Sequence, residues 1–250
     1  TSILDSPVVI EQVNGEIWRP GNYDGKFLGQ QPMRVGLEKS RNLMTVRLAQ
    51  EVGMDTVASY AKRFGIGDGF KPYLSSSLGS NEATLLDMTT AYAMLANGGR
   101  KITPTLIDRV QDRKGVTRFR HDARPCSGCE QTAWRGQDMP VLLDDRVQMA
   151  DPVSIYQIQS MLRGVVIRGT ARGSVGSKVD RPVAGKTGTT NNFQDAWFVG
   201  FTPDLVVGVY IGFDQPKSLG KGESGGRAAA PIFANFVNAA LEGTPAQDFR

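Results

Sequence analysis

Apolar residues recur at helical spacing along most of this chain, and denser apolar runs of the kind strands need gather near its C-terminal end. Met33 to Gly53 predicts a helix interrupted at Ser40-Arg41-Asn42. Asp55 to Phe64 predicts another, with Val57, Tyr60, Ala61 and Phe64 as its apolar stripe and Asp55 as its N-cap. Thr84 to Ala96 predicts a third, closed by Asn97-Gly98-Gly99. Pro152 to Val166 and Ala229 to Leu241 complete the helices. Strands are expected around Lys186, around Trp197 and Phe198, and over Val206 to Phe213, the last two joined by a turn at Thr202-Pro203-Asp204. Pro104 to Val110 and Val116 to Arg120 predict a hairpin turning at Asp112 to Gly115. Residues 1–30 read as extended and turn-rich, Gly65 to Ser77 as loop, Gly169 to Gly176 as turn, and residues 121–147 as a polar, weakly patterned insertion. Strands of one antiparallel sheet with helices on both faces make an α+β domain.

Composition narrows the class. The chain has 250 residues, 40% hydrophobic and 22% charged, ordinary for a globular domain. No apolar run is long enough to cross a membrane, and the N-terminus has no signal-peptide pattern. The net charge of +4 is mild, and basic residues do not interleave with aromatics, so nucleic acid is not an expected partner. Both cysteines lie in Cys126-Ser127-Gly128-Cys129. A local disulfide, two free thiols, and a metal or redox pair remain open. For zinc, His121, Cys126 and Cys129 would supply three ligands and Asp122 only a poor fourth.

Chemistry concentrates in Lys186-Thr187-Gly188-Thr189. A cation flanked by two hydroxyls suits a peptide carboxylate, because charge-assisted hydrogen bonds give both affinity and orientation. A glycine between the hydroxyls lets a substrate backbone lie against the strand. A second signature is Ser40-Arg41-Asn42, an S-x-N triplet. Together these motifs resemble the K-T-G and S-x-N elements of the penicillin-recognising serine acyl-transferases. Trp18 to Gly25, Tyr60 to Gly65, Asn81 to Thr84, Ala91 to Ala93, Ala96 to Gly99, Met161 to Val166 and Gly169-Thr170-Ala171 extend the match. The chain resembles the transpeptidase domain of class A penicillin-binding proteins over nearly its whole length, except roughly residues 118–147.

The resemblance implies a penicillin-binding protein/serine β-lactamase-like fold, with residues 1–250 as one partial transpeptidase domain carrying a polar insertion around 118–147. It implies D,D-transpeptidation of peptidoglycan stem peptides by serine acyl transfer, with β-lactams as inhibitors and no cofactor. Ser40 would relay protons, Asn42 would hold the stem-peptide amide, and Lys186 would supply positive potential. Thr187, Gly188 and Thr189 would bind the substrate carboxylate, and the Thr189 N–H would form half of an oxyanion hole. Asn191 and Asn192 could line the cleft, Asp195 is expected as a structural hydrogen-bonder, and Trp197 as core.

The family nucleophile is the serine of an S-x-x-K motif upstream of S-x-N. Only 39 residues precede Ser40, and none forms that motif. Ser59-Tyr60-Ala61-Lys62 and Ser218-Leu219-Gly220-Lys221 match literally but follow S-x-N, the wrong order. Ser59 is expected to point away from its helix's apolar stripe, and Ser218 to sit in a glycine-rich loop. The expectation is a segment of a longer, envelope-located protein, its membrane anchor and glycosyltransferase domain lying upstream, with strands missing and the Val206 to Phe213 strand left with an unpaired edge. Two other classes stand beside it. A β-lactamase would need a deacylating Glu-x-x-x-Asn type loop, which is absent between Ser40 and Lys186. A non-catalytic stem-peptide-binding module would keep the motifs without the nucleophile.

Overall fold

The computed structural model describes all residues except 12–14, 68, 125, 127, 128, 130–132, 134, 139, 141 and 250. Residues 1–30, expected to be extended and turn-rich, form two small antiparallel ribbons. β1 (Ser2–Asp5) pairs β4 (Gly29–Pro32), and between them β2 (Ile10–Glu11) pairs β3 (Ile17–Trp18). The interrupted helix is present as α1 (Met33–Glu38) and α2 (Asn42–Val52). Gly36 lets the two pack closely, since a Cβ there would sit 3.2 Å from Met44.

The next helix, α3 (Met54–Arg63), starts two residues earlier than Asp55 as N-cap suggests. Gly53, at φ 86°, ends α2 and opens α3, so Asp55 lies in the first turn and complements the helix dipole there. Tyr60 does not join an apolar stripe: it is 45% exposed, with the Arg63 guanidinium 4.9 Å over its ring. The expected loop 65–77 runs into a short 3₁₀ turn, Leu74–Leu78. α4 (Leu85–Ala96) is capped by the Thr84 hydroxyl, which accepts the Asp87 N–H at 3.0 Å. The hairpin is shorter than its pattern, with β5 (Arg109–Gln111) pairing β6 (Thr117–Arg120). Cys126 and Cys129 are disulfide-bonded. α5 (Pro152–Ile167) begins at Asp151, whose carboxylate accepts the Ser154 N–H at 2.8 Å.

The central sheet has the order β7 (Ala184–Thr189), β8 (Ala196–Phe201), β9 (Val206–Ile211), all antiparallel. Helices cover both of its faces. On one, Phe198 packs edge-on to Phe233 of α6 (Ala230–Ala240), centroids 4.7 Å apart, within a core that takes in Val165, Val175 and Val237. On the other, Phe201 meets Tyr92 of α4 and Leu162 of α5. β8 is buried on both faces because it is the middle strand. β7 and β9 are the edges, and among the described residues neither has a second strand partner.

Candidate active site

The Ser40-Arg41-Asn42 triplet forms the junction between α1 and α2. The Ser40 N–H donates to Leu37 O at 3.2 Å and the Arg41 N–H to Gly36 O at 2.8 Å, the two bonds of a Schellman helix end. Glycine usually occupies the left-handed position of that motif, having no Cβ to clash. Here Ser40 occupies it, at φ 54°. A serine so placed carries strain of roughly 1–2 kcal/mol, which neighbouring contacts must hold.

Arg41 does much of that holding. Its Nε donates to Asp5 Oδ2 at 2.8 Å, its Nη1 to both oxygens of Asp24 at 3.0 Å, and its Nη2 to Lys26 O. Asp5, fully buried, also accepts from Asn22 Nδ2 at 2.7 Å and from the Leu28 N–H at 3.0 Å. The Asn22 side-chain Oδ1 in turn accepts the Leu43 N–H at 3.3 Å. The Lys26 N–H, and after it Arg41, hold the Asp24 carboxyl below its ordinary pKa. The middle letter of S-x-N therefore nails the junction to the N-terminal ribbon. The signal for it was an arginine inside the triplet and the Asn22-Tyr23-Asp24 run ahead of it, since a buried guanidinium needs carboxylates.

Lys186 reaches this junction from β7. Its Nζ donates to Ser40 Oγ at 2.8 Å and to Thr187 O at 2.8 Å, and lies 3.5 Å from Thr187 Oγ1. Burial pushes its pKa down from 10.5 to about 8. Thr187 Oγ1 lies 2.8 Å from Thr170 Oγ1. Thr189 Oγ1 accepts the Gly225 N–H at 3.0 Å.

Gly188 has a packing reason of its own: a Cβ there would sit 3.0 Å from Trp197 Cβ. Trp197, expected as core, is half-buried and packs at a tilt of 48° against Tyr210 with centroids 4.7 Å apart. Asp195 accepts from the Tyr210 hydroxyl at 2.9 Å, a structural bond as expected. Asn42 opens α2 with its Nδ2 donating to Gly21 O at 2.8 Å. Ser40, Lys186 and Thr187 are thus joined by direct contacts, and Gly188 and Thr189 follow on the same strand. Asn42 adjoins them through the backbone. Asn191 and Asn192 lie in the exposed loop after β7, where Phe193 meets Tyr23 edge-on at 6.1 Å.

Ser59 lies exposed on α3, and the Ser218 hydroxyl accepts the Gly220 N–H at 3.2 Å in an exposed turn. Neither touches the Lys186 cluster.

Residues 6–238 match the model of the penicillin binding protein transpeptidase domain. The chain belongs to the penicillin-binding protein transpeptidase family. Penicillin-binding protein 1A of Rickettsia conorii is 44% identical over 98% of this chain and 31% of its own length. The crystal structure of penicillin-binding protein 1A from Haemophilus influenzae superposes with a TM-score of 0.84 at 30% identity, covering all of this chain and 40% of that one. PonA1 of Mycobacterium tuberculosis, solved in complex with penicillin V, superposes at 0.78 with 23% identity over all of this chain and 65% of its own. The chain spans about a third of the length of the curated relatives it matches.

Within this family frame, the site has three supports to which no sequence pattern assigns a role: Glu38, the pair Gly164 and Gly169, and Gly225. Glu38, almost fully buried at the end of α1, takes bonds from Arg168 at 2.8 and 2.6 Å and from Arg34 at 3.3 Å. Its backbone carbonyl accepts the Thr170 N–H at 3.1 Å. α5 and its exit pass Glu38 through two glycines: a Cβ on Gly164 would lie 2.0 Å from Glu38 Oε1, and one on Gly169 2.2 Å from Glu38 O. The third support, Gly225, lies so close to β7 and β8 that a Cβ would sit 2.2 Å from Trp197 O and 2.3 Å from Gly188 O.

Proposed function

We propose that this chain is the part of a peptidoglycan D,D-transpeptidase that binds the stem-peptide terminus and serves proton transfer. One observation carries the reading: the Lys186 ammonium meets the Ser40 hydroxyl at 2.8 Å on a strand edge beside two threonine hydroxyls. A partly buried cation whose pKa is lowered by desolvation gains when an anion arrives. The substrate carboxylate sits beside Lys186, with the Thr187 and Thr189 hydroxyls donating to it. Asn42, its amide nitrogen held by Gly21, offers its carbonyl oxygen to a substrate N–H.

The reaction is acyl transfer. A serine supplied by a segment upstream of this chain attacks the penultimate D-Ala carbonyl, and the terminal D-Ala leaves with a proton. An amine of a neighbouring stem peptide then attacks the acyl-enzyme, releasing the serine and forming the cross-link. Ser40 passes protons at the leaving group, and the Thr189 N–H donates to the oxyanion. β-Lactams acylate the same serine. The longer protein would carry a glycosyltransferase domain and a membrane anchor, and would work in the cell envelope.

The test is labelling of the longer protein by a fluorescent penicillin. Label that is lost in Ser40→Ala and Lys186→Ala supports the reading. A protein that binds stem peptide without being labelled favours the alternative of a non-catalytic binding module.

A further inference from the structure

We propose that Thr170 is a positioning residue for the carboxylate-binding hydroxyl of Thr187, an inference that rests on the function proposed above. The two Oγ1 atoms lie 2.8 Å apart, and Lys186 Nζ stands 3.5 Å from Thr187 Oγ1. A hydroxyl has one proton to donate and lone pairs to accept with. When Thr187 spends its proton on a ligand carboxylate, the bond to Thr170 persists only if Thr170 is the donor. The order is then Thr170 O–H to Thr187 Oγ1, and Thr187 O–H to the carboxylate. Each bond in such a chain polarises the next. Without Thr170, the Thr187 rotor is free to turn away, for instance toward solvent.

Thr170 is held for this task by atoms far from it in sequence. Its N–H donates to the carbonyl of Glu38, two residues before Ser40. That carbonyl approaches because Gly169 has no Cβ. The Glu38 carboxylate is clamped by Arg168, on the other side of Gly169. A closed circuit results: Ser40, Lys186, Thr187, Thr170, Glu38 and back along the chain to Ser40. The hydroxyl of Thr170 is consequently fixed relative to both walls of the site, though the residue itself is solvent-facing.

The experiment uses the longer protein and measures the second-order acylation rate with a penicillin and with the methyl ester of its carboxylate. Thr170→Val removes the hydroxyl and keeps the shape. It is expected to slow acylation by the free acid about tenfold, the size of one hydrogen bond, and by the ester less than twofold. Thr170→Ser should restore most of the free-acid rate. The acid-to-ester ratio is read within one preparation, so it does not depend on how much of a variant folds. An equal loss on acid and ester makes Thr170 merely structural and overturns the proposal, as does an unchanged ratio. A wild-type protein that no penicillin acylates would instead defeat the transpeptidase reading, a separate outcome.

Discussion

Lys186 and Ser40, separated by 146 positions, share a hydrogen bond of 2.8 Å that closes the site across its two walls. The bond joins an edge strand to a helix junction held in a left-handed turn. Neither partner is placed by its own motif. β7 is set by pairing with β8, and Ser40 by the bonds of Arg41 and Glu38. Their meeting therefore reports on the whole scaffold.

That lysine should titrate within reach of ordinary buffers. Burial disfavours its charged form and brings the pKa to about 8. At pH 7 about one molecule in ten would be neutral. The unfolded chain, with a pKa near 10.5, binds more protons between about pH 8 and 10.5, so stability should rise with pH across that window. The urea midpoint of the wild type should climb there more than that of Lys186→Met. A carboxylate ligand favours the ammonium, so its affinity should fall as pH passes 8. Nitrogen NMR of the Lys186 Nζ checks the midpoint directly; a value near 10.5 would remove the basis for all three statements.

Arg41→Met should be among the most destabilising single changes in the chain. It leaves Asp5, fully buried, without its cation, and breaking a buried pair typically costs ~3–5 kcal/mol. Asp24, nearly half exposed, would lose far less. Urea denaturation of Arg41→Met beside Asp24→Asn should show a large and a small shift of midpoint. Equal shifts would show that Asp5 is not the partner that matters.

Arg41 and Asp5 also mark the limit of what the sequence discloses. Thr84 and Asp151 cap their helices through residues three positions on, a local arrangement that keeps the starts of α4 and α5 within about a residue of their sequence pattern, whereas Asp55 is not the cap of α3. The Ser40 interruption and the three strands of the central sheet follow from local pattern in the same way. Partner choice does not: Arg41 finds Asp5 at a separation of 36, and Arg168 finds Glu38 at 130. The π-helical turns at Arg172–Gly176 and Gly225–Ala229 leave no period to detect either. They exist because glycines let backbone approach backbone, as Gly176 does at Val166 O and Gly225 at Trp197 O.

Gly225→Ala tests that last point at the site itself. A methyl group there must push the turn away from β7 and β8, an overpacking cost of ~1–3 kcal/mol. The same shift would break the bond from the Gly225 N–H to Thr189 Oγ1, so penicillin labelling should fall as well as the melting temperature. A Cβ on Gly173, in the other π-helical turn, would have nothing within 4 Å. Gly173→Ala should leave melting temperature and labelling within error of wild type. A benign Gly225→Ala would mean that the turn can move without disturbing the strand.

The outer edge of β9 leads to a prediction about the isolated chain. Its N–H and C=O groups have no strand partner among the described residues, and bare edges recruit other chains. The helices covering the two sheet faces add to this. Leu86 of α4 is 60% exposed, and Ile232 and Phe236 of α6 are 49% and 53% exposed. Apolar surface left in water forgoes ~25 cal/mol per Å², so a few hundred Å² rivals a typical stability margin of ~5–15 kcal/mol. Residues 1–250 expressed alone should therefore self-associate, with light scattering after size exclusion giving a mass above that of one chain. Leu86→Glu combined with Phe236→Glu places charge on both patches and should return the mass toward that of a single chain, since both side chains face solvent. If the wild type elutes as a sharp monomer with a cooperative melt, the exposed edge and patches are tolerated as they stand, and the binding-module reading gains.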